Sequence, residues 1–141
     1  MRITKEVIIA ANKDEIWPWL TEQEKLGVII GAIVDLKMKK NGQVEFDGGE
    51  CWKMINSEPP EKLSFRTGIL GMHLTTTLEL TSRGRRTNLR VNISGWENIA
   101  MEKARVEMPK VSLNWEKRLS RIKKVIESSQ KRLSANSKSK G

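Results

Sequence analysis

The sequence predicts an α+β fold: a curved antiparallel sheet of six to seven strands wrapped on one long C-terminal helix. Three observations lead there. The middle of the chain is a run of short segments with apolar residues at every second position, joined by hairpin-length links. The last third carries apolar residues at steps of three and four, the spacing of one stripe on an α-helix. Strands follow strands without intervening helices, the order of an antiparallel sheet rather than of alternating βαβ units.

In chain order, residues 2–10 (RITKEVIIA) are rich in β-branched types and read as the first strand. Asn12 or Lys13 leads into DEIWPWL, where acidic residues suit a helix N-terminus and Pro18 is early enough for a short helix to tolerate. Trp17 and Trp19 flank that proline, so at most one points inward. Thr21 and Glu24 form a Thr-x-x-Glu capping box that opens a second short helix through about Val28, ended by Gly31.

From Gly31 the period changes to two. Strands are read at Ala32–Met38, Val44–Asp47 and Cys51–Asn56, with turns at Lys40-Asn41-Gly42 and Gly48-Gly49. Ser57-Glu58-Pro59-Pro60 closes the third of these. Leu63, Phe65 and Thr67 alternate in the next strand, and Gly68 and Gly71 bracket a break. His73–Thr81 puts Leu74, Thr76, Leu78 and Leu80 on one side; after the turn Arg83-Gly84-Arg85, Thr87–Ser94 does the same with Leu89, Val91 and Ile93. Gly95 ends the sheet and Asn98 is a helix cap.

The terminal helix is read over Met101–Leu133. Its stripe is Met101, Ala104, Met108, Val111, Trp115, Leu119, Ile122 and Ile126, with Lys103, Lys110, Lys117 and Lys124 on the opposite face. At 1.5 Å per residue it is about 45–50 Å long, so a broad surface must receive it. Pro109 lacks an N–H, yet the stripe keeps its phase across it, which predicts a kinked helix or a short helix running into a long one. Residues 134–141 (SANSKSKG) lack an apolar anchor and are expected to form a disordered basic tail beyond a single domain of residues 1–133.

Composition narrows the functions. The chain has 141 residues, enough for one domain with its own core. No apolar run is long enough to span a membrane, and the N-terminal apolar run is too short for a signal peptide. Cys51 is the single cysteine, so no internal disulfide forms, in keeping with a cytoplasmic location. Net charge is +9, unevenly spread. From Ile99 onward twelve basic residues face four acidic ones, whereas the preceding part is nearly balanced. The excess is read first as a solvated helix face and soluble tail, with weak attraction of the C-terminal helix and tail to an anionic surface as the alternative. Specific nucleic-acid binding is not expected, because the basic face carries no aromatic stacking residues.

Four pieces resemble the SRPBCC, or START-like, superfamily with its helix-grip fold, and within it the branch named after the activator of heat-shock protein 90 ATPase. They are IIAANKDEIWPWLTEQEKL at 8–26, EPPEKLSF at 58–65, TTTLELTSRGRRTNLRVNISGW at 75–96 and NWEKRLSRIKKVIE at 114–127. The resemblance implies a module that holds a hydrophobic or amphipathic ligand, an apolar small molecule or lipid, in a cavity between sheet and helix. It equally brings in two alternatives, a polyketide cyclase/aromatase-like enzyme and a chaperone-interaction domain. The sequence departs from the branch at GVIIG (27–31), where Trp-Trp-Gly is frequent, and at Asn114, which replaces a glycine. Both changes imply a reshaped, more aliphatic cavity. Its expected lining is Ile29, Ile30, Trp96, Met108, Val111 and Trp115, and by its match to the family position Trp17 is implied to be a core residue.

No catalytic constellation, metal site or cofactor is read. His73, the only histidine, alternates outward and lacks a Ser or Cys partner; Cys51 is taken as a small buried hydrophobe; the acidic residues form no recognisable acid/base pair.

Overall fold

The computed structural model describes the backbone of residues 2–22, 25, 27–28, 34–37, 43–46 and 50–139, and the side chains of those up to 131 outside 34–46. The described strands are β1 (Ile3–Ile9), β2 (Val34–Lys37), β3 (Gln43–Phe46), β4 (Cys51–Glu58), β5 (Lys62–Ile69), β6 (Met72–Arg83) and β7 (Arg86–Ser94). They form one antiparallel sheet in the order β1-β7-β6-β5-β4-β3-β2. The described helices are α1 (Lys13–Thr21) and α2 (Met101–Ser139), with a 3-10 turn at Trp96–Asn98.

Alternation builds the inner face. In β6, Met72, Leu74, Thr76, Leu78 and Leu80 are buried, and in β7 Thr87, Leu89, Val91 and Ile93. β5 adds Leu63, Phe65 and Thr67, and β4 adds Trp52. A register shift between Met54 and Asn56 marks a bulge, which bends the strand. Against this face α2 presents Ala104, Val111, Trp115, Leu119, Ile122 and Ile126, and with half-buried Met108 between the first two the steps are the three and four that one helical stripe requires.

β1 occupies one end of the sheet, where a strand normally leaves its outer backbone groups unpaired. Here α2 supplies partners. Lys123 donates to the Ile8 carbonyl at 2.8 Å, and the Ala10 N–H donates to the Glu127 carboxylate at 2.9 Å. Lys5 and Glu116 add an ion pair at 2.7 Å.

Several expectations are corrected. Asn12 caps α1, accepting from the Glu15 N–H while the Glu15 carboxylate receives the Asn12 N–H. Thr21 does not open a second helix: it is the last residue of α1, and its hydroxyl donates to the Trp17 carbonyl at 3.0 Å. Lys25, Gly27 and Val28 are helical, while Glu24 of the expected capping box and Gly31 at the expected end lie outside the described residues. Ile16 and Leu20, four apart, take the core side of α1, which leaves Trp17 half-buried. Cys51 is also half-buried, because the inward position falls to Trp52.

Asn98 is not the cap of α2. Gly95, at φ 101°, ends β7 in a left-handed conformation that suits glycine and turns the chain so that Trp96 folds under it. Asn98 then closes the 3-10 turn with its N–H on the Gly95 carbonyl, and the helix starts at Met101. Met101 is 71% exposed, one turn too early to reach the sheet. Pro109 lies inside one continuous helix, which runs past the expected stop at Leu133 to Ser139. Nothing in SANSKS forces a stop, since it holds neither glycine nor proline. His73 is exposed, as its alternation predicts.

Candidate functional site: two cavities along one helical stripe

Two spaces open successively along the stripe of α2. The outer one, about 380 Å3, lies at the start of the helix and is lined by Trp96, Glu97, Ile99, Met101, Ala104, Arg105 and Met108. Gly95 positions Trp96, whose ring is buried and whose indole N–H donates to the Ile93 carbonyl at 3.2 Å. Met108 is half-buried against the core. Pro109 has no N–H for the Arg105 carbonyl four residues back, so a residue of this pocket keeps a polar backbone group outside the helical ladder.

The inner space, about 20 Å3, lies between sheet and helix. Val111 and Trp115 line it from the helix, and Ile69, Leu74 and Ile93 from the sheet. Its remaining walls are polar: Glu50, Thr67, Thr76, Asn114 and Arg118. Arg118 and Glu50 form a bidentate ion pair, Nη2 to Oε1 at 2.8 Å and Nη1 to Oε2 at 3.1 Å, with each side chain only 11–12% exposed. The Trp52 indole donates to Glu50 Oε2 at 2.6 Å. The guanidinium also lies 5.0 Å from the Trp115 ring and 5.9 Å from the Trp52 ring, and those two rings stack at 5.7 Å. The charge is therefore held by a carboxylate and two aromatic faces, conditions under which a buried arginine is tolerated.

On the sheet side, Thr67 donates to the Leu74 carbonyl at 3.1 Å and lies 3.2 Å from the Thr76 hydroxyl. Thr67 has a single hydroxyl proton, so Thr76 is the donor between the two. Among the described residues, Glu107 Oε2 is the buried side-chain oxygen that has no hydrogen-bond partner. The other Glu107 oxygen is 3.7 Å from Lys110.

Of the expected lining, Trp96 and Met108 come together in the outer pocket, and Val111 and Trp115 in the inner one. Ile29 and Ile30 lie outside the described residues. Sequence reading missed the Glu50–Arg118 pair and the two threonines. The pair links residues 68 apart, so no local spacing announces it. The signal for the threonines was present: both fall on the inward beat of otherwise apolar strands. Among the described residues no group of three His, Cys, Asp or Glu could hold a metal, and no helix is long and apolar enough to cross a membrane.

The family model for activator of Hsp90 ATPase homolog 1-like proteins matches residues 10–127. Similar folds occur in CalU16 from Micromonospora echinospora, 18% identical, with a TM-score of 0.75 over 96% of this chain and 82% of that one. The Aha1 dimer from Colwellia psychrerythraea is 18% identical, with a TM-score of 0.74 over 90% and 96%. An HSP90 activator from Plasmodium falciparum is 14% identical, with a TM-score of 0.60 over 78% and 89%. No curated protein matches the sequence. The sheet and its terminal helix thus form the helix-grip arrangement.

Proposed function

The chain belongs to the activator of Hsp90 ATPase homolog 1-like family, and from that premise we propose a small-molecule-binding module that holds a hydrophobic or amphipathic ligand against the first half of α2. The outer pocket carries this reading. Its volume of about 380 Å3 falls in the range of small-molecule sites, and its walls are mainly apolar, with Glu97 and Arg105 as polar groups. Trp96 and Met108 are the proposed contacts there, with Val111 and Trp115 on the following turns. Ile29 and Ile30 belong to the same proposal from sequence. The partner class is an apolar compound or lipid rather than nucleic acid, and the location is the cytoplasm.

A thermal-shift screen of polycyclic and acyl compounds tests it. Ligand at a hundredfold excess over Kd stabilises a native state by about 2.7 kcal/mol. Hits should raise the melting temperature and quench tryptophan emission, and Met108→Glu should abolish both effects while leaving the fold. A broad library without a single shift would overturn the binding module.

A further inference from the structure

We infer that the inner cavity is a hydroxyl-recognition subsite, so that the preferred ligand is an amphipathic molecule with one neutral hydroxyl at the end of an apolar body. This rests on the binding module proposed above and specifies its ligand. The cavity's size, about 20 Å3, admits a single oxygen atom with its hydrogens and little more. Its walls offer both partners that a hydroxyl needs. Donors come from the Asn114 amide; acceptors come from Thr67 and Thr76, since the Thr67 proton is committed to the Leu74 carbonyl and the Thr76 proton to Thr67.

Charge selects against an anion. The Arg118 guanidinium is neutralised by Glu50 in a bidentate pair, so the walls carry no net charge to offset a buried carboxylate. Position supplies the rest. Met108 of the outer pocket and Val111 of the inner one are three residues apart on one helical face, roughly 4.5 Å along the axis. An apolar body resting on Trp96 and Met108 can extend one polar atom toward the threonines. In the free protein the same place is suited to one water, with two to four polar partners.

The test is a matched pair of probes, 1-naphthol and 1-methylnaphthalene, titrated by calorimetry. The two have nearly the same size and differ in the hydroxyl. The protein should bind 1-naphthol about tenfold more tightly, the worth of one net hydrogen bond. In the double variant Thr67→Val/Thr76→Val that preference should vanish, with 1-naphthol falling to the affinity of 1-methylnaphthalene. If the double variant does not fold, Asn114→Leu and the single Thr76→Val should each reduce the ratio. Equal affinities in the unaltered protein would overturn the subsite and leave the binding module standing. A preference that survives in the folded variants would also overturn it. Failure of both probes to bind would overturn the subsite, while the module stands or falls by the broad screen.

Discussion

Arg118 shows how one residue combines stability with the site. Replacing it by Met leaves the Glu50 carboxylate buried without its main partner, an exchange expected to cost about 3–5 kcal/mol. The double variant Glu50→Leu/Arg118→Met should be markedly more stable than Arg118→Met alone, because no isolated charge remains. Urea unfolding of the four proteins checks this; strictly additive losses would mean the two side chains are not coupled. Glu107 makes the opposite case. Its unpartnered buried oxygen has a desolvation cost without return, so Glu107→Gln should raise stability by about 0.5–1 kcal/mol, and a loss would show that the carboxylate is needed. Glu127 ties stability to pH. Its hydrogen bond from Lys123, then that from the Ala10 N–H, hold its pKa below the ordinary value of 4.5. A depressed carboxylate pKa stabilises the fold above the unfolded value and loses that contribution as pH falls through the folded one. Below about pH 4.5, therefore, the unaltered protein should lose more stability than Glu127→Gln does. Equal acid sensitivity would detach Glu127 from the β1 edge.

At the scale of elements, α2 lays its buried stripe on the inner face of the sheet. Trp115 is 5% exposed and stacked on Trp52, so Trp115→Ala should cost about 3–5 kcal/mol; a cost under about 1 kcal/mol would contradict the stacked arrangement. This seam is also where the sequence was most legible. Six of the eight stripe positions are buried, since helical period and burial are two views of one geometry. β6 and β7 were legible for the same reason, with a period of two. Caps were less so. Thr21 carries a capping pattern but spends its hydroxyl on Trp17, and Asn98 yields to a turn dictated by Gly95. Each is a competition between local hydrogen bonds that pattern alone does not decide. The candidate site was half legible: apolar walls follow the periodicity, whereas Glu50 meets Arg118 only after the whole sheet has closed.

At the scale of the molecule, the exposed lysines of α2 stand apart from the proposed pocket. Lys110, Lys117 and Lys124 are exposed and line neither the outer nor the inner space, whose apolar walls include Trp96, Ala104, Met108, Val111 and Trp115. Affinity for an apolar probe should therefore hardly change with salt, whereas any attachment to duplex DNA should vanish by a few hundred millimolar salt. Salt-resistant DNA binding would make the basic face the functional one.

The bond between β1 and α2 also sets an order of events during synthesis. Lys123 and Glu127 are synthesised more than a hundred residues after their partners Ile8 and Ala10. Until then the sheet can assemble, but its inner face has no cover and its first strand keeps an open side. Contacts at such separation are slow to form, and the nascent chain is exposed to misassociation throughout that interval. A chain cut off before Met101 would thus be left with every described strand and nothing of α2 over their inner face.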